Sequence, residues 1–179
     1  MKSKFFSLPT LASAFLLCSV VAAQENTGSE PEYIGVIHYL NSSGMLLPLD
    51  RQMARSKAGF KALGLGGAKI TIELEGEKAS LRILPNQKMN FVVQLPNGVD
   101  PRRIQLYSFS VRGNKRQLEI RSEDIPREGR TIIPIRLNIS RYGQNSYKLA
   151  PVSDLSAGEY GFMGGGTTEV FCFGVESKE

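Results

Sequence analysis

Residues 69–74 alternate without a break: Ile70, Ile72 and Leu74 fall on one side, Lys69, Thr71 and Glu73 on the other. A period of two marks a strand with one buried face, because successive side chains of an extended backbone point to opposite sides of a sheet. Comparable short stretches recur along the chain, each bounded by turn residues. Residues 33–40 place Ile34, Val36, His38 and Leu40 on one face, followed by the turn Asn41-Ser42-Ser43-Gly44 and a return run at 45–49, so the pattern predicts a hairpin. Glu75-Gly76-Glu77 turns the chain, and residues 79–84 follow with Ala79, Leu81 and Ile83 inward. Residues 89–95 read as a strand that ends in a Pro/Asn/Gly/Asp turn cluster at 96–101. Residues 104–111 and 117–121 flank a hairpin loop at 112–116. In 131–139 the apolar residues Ile133, Ile135, Leu137 and Ile139 share a face, and Pro134 marks an edge strand or a bulge. Stretches at 146–149, 160–163 and 170–175 complete about 8–10 short strands with no long helix. That pattern predicts an all-β fold, a sandwich or barrel.

The first 23 residues stand apart. Lys2 and Lys4 precede an uncharged apolar run at 5–21, and Val21-Ala22-Ala23 offers small residues where a signal peptidase reads. This is the layout of a secretory signal peptide, with cleavage after Ala23 and a mature chain starting at Gln24. The run is at the short limit for a membrane span and is interrupted by Pro9, and no later segment approaches 18 apolar residues, so the mature chain is expected to touch a membrane at most peripherally. Residues 24–31 are polar and aperiodic, the expected flexible lead-in to a single β-domain at 32–179.

Loss of Lys2 and Lys4 lowers the formal charge from +5 to +3, a mild basicity that gives no reason to expect nucleic acid as a partner. The bias is local. Residues 102–141 carry ten Arg or Lys against four acids. Residues 51–61 carry Arg51, Arg55, Lys57 and Lys61 with no acid. Gly59, Gly64, Gly66 and Gly67 argue against a stable helix here, so 51–67 reads as a long basic loop with one helical turn at most. Long irregular insertions on sandwiches often carry function, which makes these four basic residues the candidate partner contacts.

Leu155-Ser156-Ala157-Gly158-Glu159-Tyr160 is the most specific local motif. A leucine, a glycine turn and a tyrosine at a strand start resemble the tyrosine corner of immunoglobulin-like sandwiches, in which the tyrosine hydroxyl bonds back to upstream backbone. The chain has no tryptophan, and once Cys18 leaves with the signal peptide no cysteine pair bridges the sheets. The resemblance therefore covers sandwich architecture, not an antibody-type domain. The same stretch is similar to the closing segment of uncharacterised exported bacterial proteins with a Leu-x-Pro-Gly-Glu-Tyr-like turn, Ala157 standing where they often carry proline. That likeness implies a small exported β-domain and carries no activity.

Catalytic constellations are sparse. His38, the only histidine, lies mid-strand, where a hydrogen-bonded structural role is expected. Cys172 sits in an apolar run and reads as a buried free thiol acting as a small hydrophobe. Glu73, Glu75 and Glu77 share a face beside a turn and read as a solvated edge. The glycine runs at 64–67 and 164–166 lack the Lys-Ser/Thr of a phosphate loop, and 164–166 reads as a mobile hairpin loop. No catalytic residue, metal site or cofactor is expected. The leading expectation is an exported, non-enzymatic immunoglobulin-like β-sandwich that binds or braces another envelope or extracellular component, a protein or a glycan. The alternative is a small-ligand or carbohydrate-binding domain, or a weak carboxylate-based hydrolase. The sequence leaves the oligomeric state open.

Overall fold

The structure, a computed structural model, describes residues 29–59, 69–121, 134–164 and 168–177. The expected signal peptide, residues 24–28 of the lead-in, and Lys61 lie outside the described residues. Among the described residues thirteen strands form two sheets, and the only helical element is a 3-10 turn at Pro101–Arg103. The first sheet has the order β10 (Leu137–Arg141), β11 (Ser146–Pro151), β7 (Asn90–Gln94), β1 (Ile37–Leu40), β2 (Leu46–Pro48), antiparallel throughout. The second runs β3 (Asp50–Met53), β13 (Glu169–Val175), β12 (Gly158–Gly164), β8 (Ile104–Arg112), β9 (Lys115–Arg121), β5 (Lys69–Glu75), β4 (Arg55–Gly59), with β6 (Arg82–Ile83) parallel to β13.

The sheets face each other across the main core, as alternation requires. Ile37 and Tyr39 of β1, Phe91 and Val93 of β7 and Leu149 of β11 meet Leu106 of β8, Tyr160 and Phe162 of β12 and Phe171, Phe173 and Val175 of β13. Phe91 is the pin. Its ring centroid lies 4.9 Å from Phe162 and 4.7 Å from Phe173, so one side chain of the first sheet engages two of the second. Such pairs contribute about 0.5–1.5 kcal/mol beyond the area they bury. Tyr160 closes the corner: its hydroxyl donates to the Ser156 carbonyl at 2.8 Å, and its ring stacks on Phe173 at 5.5 Å.

The second sheet is rolled. β3 and β4 stand at opposite ends of its order, yet Ala54 alone separates them in the chain. Two peptide units span roughly 7 Å at most, so the sheet curls until its ends meet there. The Ala54 N–H donates to the Thr168 carbonyl at 2.8 Å and helps fix the junction. Inside the roll lies a second core of Ile72, Leu74, Ala79, Phe109, Val170 and Cys172. Gly161 admits the Phe109 ring: a Cβ there would sit 2.6 Å from Val170 Cγ1 and 3.0 Å from Phe109 Cε2.

One end of the roll is plugged by charge. Arg116 is fully buried and donates to the Gly76 carbonyl at 3.2 Å and the Glu75 carbonyl at 3.0 Å. Its Nη1 lies 3.7 Å from the buried Glu159 carboxylate. Glu159 also accepts from the Ala79 N–H at 2.8 Å and pairs with Arg82, which reaches Glu176 at 2.6 Å. Gly174 leaves the space that the Arg82 guanidinium fills.

Five expectations need correction. The inner face of β1 is Ile37 and Tyr39, not Ile34, Val36, His38 and Leu40, because Gly35 at φ +80° breaks the extended chain and resets the alternation. The expected loop at 51–67 is strand at Asp50–Met53 and Arg55–Gly59, and residues 60–67 lie outside the described residues. Within 79–84 only Arg82–Ile83 is strand. Residues 131–133 lie outside the described residues, and within 134–139 the strand begins at Leu137, since Ile135 bridges to Leu106 in the other sheet as the chain crosses over; β10 is an edge strand of the described sheet. The lead-in is also tied down at Glu30, whose carboxylate accepts from the Gln144 N–H at 2.8 Å and the Ser146 hydroxyl at 2.5 Å.

Candidate functional site

A cleft of about 260 Å³ opens between the two sheets where β1, β8 and β13 come together. Ile37, Leu95, Val99, Ile104 and Phe171 give it an apolar floor. Arg103, Asp100 and Glu169 stand among its polar lining. The turn after β7 positions this rim. Gly98 takes φ +82°, a left-handed conformation that suits glycine, and the chain then enters the 3-10 turn. Asp100 caps that turn: its Oδ1 accepts from the Arg102 N–H at 2.9 Å, and its carbonyl accepts from the Arg103 N–H at 3.1 Å. Arg103 is thereby held on a short rigid element, with an exposed side chain that makes no ion pair among the described residues. An apolar floor with one uncommitted guanidinium at its lip suits an apolar group that carries, or sits beside, an anion.

The expected partner contacts are dispersed over the rolled sheet. Arg51 lies on β3 and pairs with Glu169, which brings it to the cleft rim. Arg55 and Lys57 lie on β4, away from the rim, and meet acids of β5: Arg55 Nη1 is 3.3 Å from Glu75 Oε1, and Lys57 Nζ is 2.8 Å from Glu73 Oε2. Strand pairing dictates this, because β4 runs antiparallel to β5 with Arg55 opposite Glu73 and Lys57 opposite Thr71. All three stay exposed, but each has an acidic neighbour that the stretch 51–61 does not contain.

Glu73 is not on a solvated edge. It is buried beneath Lys57, Lys115 at 3.4 Å and the Gln117 amide at 3.1 Å. The hydrogen bond from Lys57 holds its carboxyl below the usual range against the opposing effect of burial, and the charges of Lys57 and Lys115 add to the depression. A carboxylate so held stays ionised near neutrality and is a poor proton donor. His38 is buried with Nδ1 3.2 Å from the Val36 carbonyl oxygen. Cys172 is buried and free, and burial pushes its thiol up to about 12, so it is no nucleophile at neutral pH.

Two further clefts, of about 450 and 470 Å³, flank the loop at 85–90. Asn86, Gln87 and Asn90 line both, and Tyr39 offers only its hydroxyl, which donates to Gln87 Oε1 at 3.3 Å. Among the described residues no group of three or more His, Cys, Asp or Glu is placed to hold a metal ion, and no helix is long and apolar enough to cross a membrane. No family model matches the chain, and no curated protein or solved structure is significantly similar to it.

Sequence reasoning counted Arg103 only as one of the ten basic residues at 102–141, without singling it out, and missed the buried Arg116–Glu159 pair. Asp100-Pro101 is a local signal for a capped turn and could have singled out the arginines behind it. Nothing in the run Lys115-Arg116-Gln117 marks Arg116 as buried.

Proposed function

We propose that this chain is an exported, non-enzymatic binding module of immunoglobulin-like sandwich type that holds or braces another envelope or extracellular component. The observation that carries the reading is the cleft between the sheets, with its apolar floor and with Arg103, unpaired among the described residues, on a capped turn. Export rests on the residues at 1–23, and the sandwich type on the Tyr160 corner and the likeness of 151–162 to the closing segments of exported bacterial proteins. The partner chemistry that fits is a protein segment presenting an apolar side chain next to a carboxylate. Arg103 would meet the carboxylate, and Arg51 stands close by on Glu169.

A cross-linked pull-down from the native envelope tests this, run with the wild type and with Val99→Trp, which fills the cleft. A stoichiometric partner captured by the wild type and lost with Val99→Trp supports the reading. The same partner captured by both removes the cleft from it. An N-terminal mass that starts at Gln24 in the exported protein would support the export assignment. A second reading, glycan binding, is favoured by the amide side chains of Asn86, Gln87 and Asn90 in the two clefts beside β7. Binding of oligosaccharides that is lost in Asn86→Ala and Asn90→Ala but kept in Val99→Trp would shift the function there.

A further inference from the structure

The two edges of the first sheet are built differently, and the difference points to a second copy of this chain. At the β2 edge the ladder bonds run Asn41 N–H to Met45 carbonyl and Leu49 N–H to Ile37 carbonyl, so the outward residues are Leu46 and Pro48. Pro48 has no N–H to offer, a common way of blunting an edge. At the β10 edge the bonds run Tyr142 N–H to Ser146 carbonyl and Val152 N–H to Arg136 carbonyl. Asn138 and Ser140 therefore pair with β11, while Leu137, Ile139 and Arg141 turn both their N–H and C=O groups outward. No described strand pairs with that side. It carries no proline, bulge or lysine. Arg141 does not guard it, because its guanidinium lies over the Tyr147 ring at 5.0 Å and donates to the Gln144 carbonyl.

We propose that two copies pair antiparallel through β10, about a two-fold axis at Ile139, to make one continuous sheet. The register is self-complementary. Centred on Ile139, the outward groups of Ile139 meet those of the partner's Ile139, and those of Leu137 meet those of the partner's Arg141, so the open backbone groups of this edge all find a counterpart. Asn138 stands opposite the partner's Ser140, both exposed polar residues on the outer face, and no like charges face each other. On the inner face Leu137 and Ile139 are only half buried against the main core, and the pairing covers them with their own counterparts. An isologous contact of this kind closes at two copies and does not propagate into fibres. It leaves the cleft between the sheets to a different partner.

Charge at positions 138 and 140 tests the register. N138K/S140K and N138E/S140E change exposed side chains, so circular dichroism should stay as in the wild type; position 140 stands opposite Lys148 of β11, so the melting temperature should fall slightly for the lysine variant and hold for the acidic one. In sedimentation velocity the wild-type mass should double with concentration. Each charged variant should remain monomeric over the same range, because like charges then face each other across the axis. An equimolar mixture of the two should recover the dimer, because the introduced lysines of one copy then face the introduced acids of the other. A wild type that is monomeric up to about 1 mM, the weak end of measurable association, would overturn the proposal. So would dimers that persist in both charged variants, or a mixture that stays monomeric.

Discussion

Glu159→Gln should destabilise the fold more than Arg116→Met, although the two side chains face each other 3.7 Å apart. The difference lies in what each change leaves behind. Glu159 has a second cation, Arg82, and an N–H donor at Ala79, so without Arg116 its carboxylate is still compensated. Arg116 has no second carboxylate among the described residues: it donates to the carbonyls of Glu75 and Gly76 and lies beside the Cys172 thiol, and its Nη1 lacks a geometrically sound hydrogen-bond partner there. Removing one member of a buried ion pair and stranding the other costs about 3–5 kcal/mol. Glutamine keeps the shape and an acceptor for Ala79, so this figure isolates the charge. Methionine in place of Arg116 forfeits hydrogen bonds from a charged donor worth about 1.5–3 kcal/mol, partly offset by a buried apolar side chain, for a net cost of roughly 1–2 kcal/mol. Urea unfolding followed by far-ultraviolet circular dichroism, suited to a chain without tryptophan, reads the difference. With a slope of about 2 kcal/mol per molar urea, the two midpoints should differ by about 1 M. The double variant should cost less than the sum of the singles, since removing Arg116 abolishes the stranded charge. If Arg116→Met is as damaging as Glu159→Gln, or if the two effects simply add, then Glu159 does not hold Arg116 and the plug is wrongly assigned.

Other expectations follow from single sites. Phe91→Ala should cost about 3–5 kcal/mol, because the fully buried ring joins the two sheets; a drop in melting temperature on the order of 10 °C is expected. Tyr160→Phe removes the bond to the Ser156 carbonyl and should lower unfolding free energy by about 1 kcal/mol, measured in urea. Cys172 should resist a thiol reagent at pH 8 in the native protein and react fully once it is denatured, its thiol being pushed up to about 12 by burial. The Ser146 hydroxyl, with the Gln144 N–H, holds the Glu30 carboxyl below its usual 4.5. The tether therefore adds stability above pH 4.5 and loses it as pH falls through the lower folded value. Glu30→Gln should remove that part of the acid limb in a plot of melting temperature against pH, and an unchanged limb would refute the linkage.

Legibility in the sequence tracked hydrophobic period. Ile72 and Leu74 are buried in β5 as their alternation predicts, while Ile70, expected on the same inward face, is exposed near the start of the strand; Tyr160 makes the backward bond its motif suggests. The strands at 50–59 were invisible for a physical reason. All five residues of β4 are exposed, and the inward positions of β3 are Asp50 and Gln52, so no apolar period marks either strand. What makes them strands is pairing with β5 and β13, partners far along the chain. The same distance hid the neutralising acids: Glu73, Glu75 and Glu169 meet the basic residues only after the sheet rolls. The cleft is harder still to read, since Ile37, Val99, Arg103, Glu169 and Phe171 come from distant segments and share no local signature.

A photo-activatable cross-linking residue placed at Val99, inside the cleft, and at Val111, exposed on the rolled sheet as a control, addresses the binding assignment most directly. After irradiation in the native envelope, position 99 should yield one dominant adduct of defined mass that position 111 does not. No adduct at 99, or the same adducts at both positions, would contradict a binding role for the cleft.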